Sequence, residues 1–424
     1  MKYEVTYLKN GIRVVAVPMK ERKSVAAGIW VHVGGRHEEE RLSGVSHFLE
    51  HIVFKGTKSR TANQIKESIE GVGGSMNAFT SEEYTCFLAK IARKHFESVF
   101  DVLADMVLEA SITETDLEKE RTVIMEEVKM TQDQPSQLAD ELLSEIVWPK
   151  HSLGRPLAGT LKSVAGLSRA DIVGYRDCYY QPNLITVVAA GDIDQQTLLR
   201  AAEKNFKKPK NNVAPMLDLF KTQQKNPGVR IMQKSTEQTH LSLALHAFPK
   251  DHPDEYVLDI LNVVLGGNMS SRLFNEVREE RGLAYDVGSF VRRYHETGAF
   301  VVSAGVDNLK AREAVHVILK ELEKISRELV PAQELRRAKD FYLGQLDLGL
   351  ENSMNQMLWA GENIVTLNKH RTPEEVTEHI EKVSDEDLRR VAQTLFKTNS
   401  LNLAMVGPIE SEKEFADVLS FTNG

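Results

Sequence analysis

Among the 424 residues, the types and spacing best suited to chemistry lie in Gly44-Val45-Ser46-His47-Phe48-Leu49-Glu50-His51. On a helix, His47 and His51 stand at i and i+4 and share one face. Two imidazoles so placed can bind one Zn²⁺ through ring nitrogens at about 2.0–2.1 Å. Glu50, one position before the second histidine, is placed to take a proton from water activated by such an ion. The order His-x-x-Glu-His reverses the common His-Glu-x-x-His arrangement.

A reactive metal site also needs a third protein ligand and an open coordination position. Carboxylates cluster in Glu118-Lys119-Glu120-Arg121-Thr122-Val123-Ile124-Met125-Glu126-Glu127. Glu120 and Glu127 are seven apart, about two helical turns, and share a face, whereas Glu126 points elsewhere. Spacing narrows the third ligand to Glu120 or Glu127 and leaves both open.

The surrounding chain must hold these groups in place. Tyr3 to Pro18 reads as a hairpin with a type I′ turn at Asn10-Gly11. A strand follows at 25–31, then the histidine helix, with Ser43 or Ser46 as its cap. Helices are predicted at 61–72, 96–110, 114–130 and 136–146, and strands at 75–80, 84–89 and 184–190. This first unit spans 1–206. Residues 207–228, punctuated by Pro209, Pro215 and Pro227, read as a linker. In the second unit, 229–424, strands are expected at 229–233, 240–247 and 298–305, with helices at 254–265, 270–281, 310–328 and 331–350. Ser168 and Ser384 each open a helix leading to a strand that stops at Gly191 and Gly407; both pairs are 216 residues apart. Equal offsets imply a duplicated domain. The second half has no His-x-x-Glu-His, and His240, His246 and His295 read as structural.

Composition bounds the class. Hydrophobic content of 42% and charged content of 27% are those of a globular protein. No run of 18 apolar residues predicts a membrane span, and the N-terminus does not read as a secretory signal. A net charge of −8 argues against nucleic acid as a partner. Cys86 and Cys178 are the only cysteines, and a reducing cytoplasm is the expected setting.

Gly44-x-x-His47-Phe48-Leu49-Glu50-His51, then Asn77-Ala78 in a strand, then an acidic helix with a glutamate seventy-six residues past the second histidine, resembles the pitrilysin/insulinase family of zinc peptidases. Size and paired domains are similar to bacterial relatives of the mitochondrial processing peptidase β subunit. The resemblance implies His47, His51 and Glu127 as ligands of one Zn²⁺ per chain, Glu50 as general base and Glu120 as an outer acid orienting the site. Gly266-Gly267-Asn268 through Phe274, with Arg278 and then Gly282-Leu283-Ala284-Tyr285, also matches. It implies Arg278 and Tyr285 as substrate contacts, with Tyr285 an oxyanion donor. Asn77, Ala78 and Phe79 would receive the peptide as an added strand. The implied fold is α+β: two homologous domains, each a mostly antiparallel sheet packed with helices, closing like a clamshell. The implied activity is an endopeptidase for short or unfolded peptides in the cleft; a non-catalytic partner subunit is the alternative. Peptide is the expected partner, nucleic acid and membrane are not, and a homodimer is left open.

Overall fold

The computed structural model describes residues 3–209, 213–215 and 217–421. It divides into two compact units, each built on one sheet. The first takes Met1–Lys129, Arg155–Asp218 and Asp347–Pro373; the second takes Met130–Gly154, Leu219–Leu346 and Glu374–Gly424. No helix of the described residues is long and apolar enough to cross a membrane.

The first sheet contains β1 (Val5–Tyr7), β2 (Arg13–Pro18), β3 (Ser24–Val31), β4 (Ser75–Thr80), β5 (Thr85–Ala92) and β6 (Ile185–Gly191), in the order β1-β2-β6-β3-β5-β4. Only β2 and β6 run parallel. Every residue of β6 is buried, because both sheet faces are covered. Val187 and Ala189 join the main core with Ile29, Phe48, Phe87 and Phe100. Val188 and Ala190 face the other way, onto Trp30, Met357 and Ala360.

The second sheet contains β7 (Gly228–Gln233), β8 (Gln238–Ala247), β9 (Ala284–Arg293), β10 (Gly298–Asp307) and β11 (Leu401–Gly407), in the order β7-β11-β8-β10-β9. Again one pair, β7 with β11, is parallel. The five strands repeat the order of β2-β6-β3-β5-β4. Helices Arg169–Tyr179 and Asp385–Leu395 are offset by 216 residues, each opened by a serine capping box (Ser168 with Asp171, Ser384 with Asp387). β6 and β11 keep the same offset. The duplication is therefore present in both topology and register.

β1–β6 all precede residue 206 and β7–β11 all follow residue 227, whereas the helices packed on the two sheets do not divide at one point of the chain. Helix Pro135–Val147 packs on β8 and β11 of the second unit through Leu138, Leu142 and Leu143, against Ala244, Ala404 and Val406. Helix Ser353–Glu362, capped by Asn352, packs on β2, β3 and β6 of the first. Each sequence half thus lends one helix to the other's sheet. A Cβ on Gly361 would stand 2.4 Å from two carbons of the buried Trp30 ring. Gly361→Ala gains about 1 kcal/mol of helix propensity, but overpacking a rigid contact costs about 1–3 kcal/mol. A lowered thermal midpoint is expected, with Gly361→Val lower still; an unchanged midpoint would contradict this packing.

Two local expectations need correction. The Asn10-Gly11 turn is not type I′: only Gly11 has positive φ (96°), and its N–H donates to Leu8 C=O, whereas type I′ needs two such residues. Asn10 instead donates to the carbonyls of Phe206 and Lys208. The segment 270–281 is not one regular α-helix, since Phe274–Glu280 forms a π-helix. The strand β9 and the helix Ser353–Glu362 were not anticipated. The linker expectation falls partly on 210–212 and 216, outside the described residues; its described part, up to β7, contains no helix or strand.

Candidate metal centre

The histidines lie on the helix Val45–Ile52, too short to be stable alone. Val45, Phe48, Leu49 and Ile52 bury its apolar face in the core, which directs His47, Glu50 and His51 to the opposite side. Its first turn is not capped by a serine. Gly44 is the N-cap at φ 93°, where a Cβ would meet the Ala158 carbonyl at 2.6 Å. The buried Glu38 carboxylate does the capping, accepting from the N–H groups of Gly44 (2.7 Å) and Ser46 (2.8 Å). Burial raises the Glu38 carboxyl to about 7 against those hydrogen bonds.

The acidic helix Glu114–Asp133 docks beside it through Leu117, Ile124 and Val128. Arg121 fixes this docking: it lies over the Phe48 ring at 5.9 Å and donates to the carbonyls of Val164 and Leu167. Glu127 then faces both histidines, with His47 Nε2 3.8 Å and His51 Nε2 3.6 Å from its carboxylate oxygens. One donor atom from each of the three lies within 4.8 Å of the others. A tetrahedral ion with bonds of about 2.0–2.1 Å sets its ligands roughly 3.3 Å apart. A small contraction therefore fits zinc to this set. Burial lowers His47 to about 4, with His51 adding to the effect, so its imidazole is neutral at pH 7, as a ligand must be.

Glu120 is buried behind this set. Its Oε2 lies 3.4 Å from His51 Nδ1 and its Oε1 2.5 Å from Lys55 Nζ. With Nδ1–H donating to Glu120, the His51 Nε2 lone pair is turned toward Glu127. Glu126 is exposed and pairs with Lys129 at 2.7 Å. Of the two candidates that spacing left open, Glu127 joins the histidines and Glu120 supports one of them from behind.

Glu50 points to the same side as the histidines, and its carboxylate accepts from Thr80 Oγ1 at 2.7 Å. Burial raises its pKa, while hydrogen bonds from Thr80 oppose the rise. Thr80 ends β4, the outermost strand of its sheet, which carries Asn77, Ala78 and Phe79. In the second unit, Arg278 lies 4.7 Å over the Phe274 ring and 5.3 Å over the Tyr285 ring. The two residues expected to act together are thus neighbours, with Tyr285 75% exposed. His240, His246 and His295 join no metal-binding cluster among the described residues.

Glu38, Lys55 and Thr80 were not marked from sequence. Lys55 lies four residues after His51, a spacing that could have found it. Glu38 and Thr80 meet the ligand helix only through the fold and carry no spacing signal.

The geometry ranks three substitutions by zinc retention. Glu127→Gln is expected to lose the most, because it weakens a ligand. Glu120→Gln should lose less, within the roughly 10–100-fold typical of outer groups. Glu126→Gln should be neutral. Elemental analysis after dialysis checks the order, and Glu126 as the most sensitive position would overturn it.

The family model described as Insulinase (Peptidase family M16) matches residues 13–161, and that described as Peptidase M16 inactive domain matches 166–342. The chain is 36% identical over 409 residues to the uncharacterized zinc protease YmxG of Bacillus subtilis (strain 168), covering 94% of this chain and 97% of the relative. It is 32% identical over 414 residues to the uncharacterized zinc protease SCO5738 of Streptomyces coelicolor, covering 96% and 90%. Among solved structures, a protease from Helicobacter pylori superposes with TM-score 0.92 at 24% identity, covering 96% and 99%. A chain of complex III2 from Candida albicans does so with TM-score 0.86 at 18%, covering 99% and 100%. These two likenesses concern the fold.

Proposed function

The chain belongs to peptidase family M16, the insulinase family, and from that premise we propose that it is a zinc-dependent endopeptidase for short or unfolded peptides. The observation that carries the proposal is the convergence of His47, His51 and Glu127 within 4.8 Å, with Glu50 on the same side of the ligand helix. These three residues would hold one zinc ion per chain. Bound there, the metal supplies Lewis acidity toward a carbonyl oxygen and toward water.

The chain's own groups do the remaining work. Glu50 accepts the proton of the attacking water and returns it to the departing amine. Its burial, which raises its pKa, suits it to both transfers. Glu120 holds the His51 tautomer. Extended peptide pairs with the outer edge of β4 along Asn77-Ala78-Phe79, through backbone hydrogen bonds that favour unfolded segments and read few side chains. Tyr285 donates its hydroxyl to the developing oxyanion, and Arg278 grips the same substrate. Cys86 and Cys178 are both free thiols, and we place the activity in the cytoplasm on that basis.

The test is hydrolysis of an unstructured fluorogenic peptide library by the full chain, with and without a zinc chelator. Cleavage that the chelator abolishes and zinc restores is expected, with a stable folded protein left uncut. A zinc-loaded chain that cleaves none of the library would instead indicate a non-catalytic subunit of the same fold.

A further inference from the structure

Thr80 is the hydrogen-bond partner of the Glu50 carboxylate: its hydroxyl Oγ1 donates to Oε2 at 2.7 Å, and the backbone of the same residue also acts on the carboxylate. Thr80 closes β4 and is paired with Thr85 of β5, so its backbone is fixed by the ladder. Its β-branched side chain is stiff at χ1, so the donor itself has little freedom. Glu50, by contrast, has three rotatable side-chain bonds. His51 and Glu127 act on it electrostatically, but neither bonds its carboxylate. We propose that Thr80 is a positioning residue: its hydroxyl holds one oxygen of Glu50 and leaves the other to take the proton. Because Thr80 continues the strand carrying Asn77-Ala78-Phe79, the same residue ties the base to the edge on which peptide is seated. The inference rests on Glu50 being the general base.

A hydroxyl donating to an ionised oxygen is a charge-assisted bond of the stronger kind. Without it the carboxylate keeps only the weaker hold of the Thr80 backbone, and a displaced base lowers turnover while substrate affinity and metal stay as they were. Thr80→Val keeps the size and branching that suit a strand and deletes only the donor. On the fluorogenic peptide that the wild-type chain cleaves fastest, kcat is expected to fall roughly 10–100-fold, with KM and zinc content little changed. Thr80→Ser, which restores a hydroxyl, should recover most of the rate. If the valine variant does not fold, Thr80→Ala carries the same comparison.

A second readout needs no turnover. In a Glu50→Gln background, binding of the labelled peptide is measured by fluorescence anisotropy with and without Thr80→Val. Equal affinities are expected, since Thr80 acts through the base. A matching loss of affinity would mean that Thr80 serves only the strand, and wild-type kcat in Thr80→Val would likewise overturn the proposal. Wild-type turnover in Glu50→Gln alone would remove the base itself, a result distinct from either.

Discussion

Glu50→Gln is expected to keep a full complement of zinc and to lose hydrolysis by roughly 10²–10⁴-fold, the range of a deleted general acid–base. Glu50 is not among the three groups whose donor atoms converge, so the metal should be indifferent to the change. Glutamine preserves the side-chain shape, and its carbonyl can still accept from Thr80 Oγ1, now 2.7 Å from the carboxylate. What disappears is the proton acceptor. Elemental analysis and initial rates on one preparation check both halves of the expectation. A variant that lost its zinc would make Glu50 a ligand, and one with wild-type rates would remove it from the chemistry.

Tyr285→Phe is expected to lower kcat by about 10²–10³-fold, the scale of a lost oxyanion donor. The phenol is 75% exposed, and the ring keeps its place 5.3 Å from the Arg278 guanidinium when the hydroxyl is removed. Thermal midpoint and zinc content should therefore stay at wild-type values. Arg278→Ala should also slow turnover through weaker substrate grip. A drop in stability that matched the drop in rate would reassign Tyr285 to the fold, and an unchanged rate would leave the second unit without a part in the reaction.

What the sequence revealed followed how local each signal was. His47, Glu50 and His51 lie within one helical turn and a half, so their shared face was legible from spacing. The choice between Glu120 and Glu127 was not, because it depends on how the acidic helix docks, through Arg121 on Phe48 and on the carbonyls of Val164 and Leu167. The duplication was legible because Ser168 and Ser384 cap equivalent helices with the same side-chain chemistry. The exchange of helices was hidden: Ser353–Glu362 carries Gly361 in its interior for the sake of Trp30, more than three hundred residues earlier. For the same reason a fragment cut at residue 206 would leave Trp30 and Val188 without Met357 and Ala360, and is not expected to fold like the intact first unit. β9 was missed because Gly288, Ser289 and the charged pair Arg292-Arg293 interrupt its alternation.

The central claim is that one zinc ion held by His47, His51 and Glu127 makes the chain a peptidase. Metal-free protein titrated with zinc, with peptide hydrolysis measured at every addition, tests it most directly. The rate should rise in proportion to bound zinc and level off at one equivalent per chain. Hydrolysis at zero zinc, or a fully loaded chain with no hydrolysis at all, would contradict it.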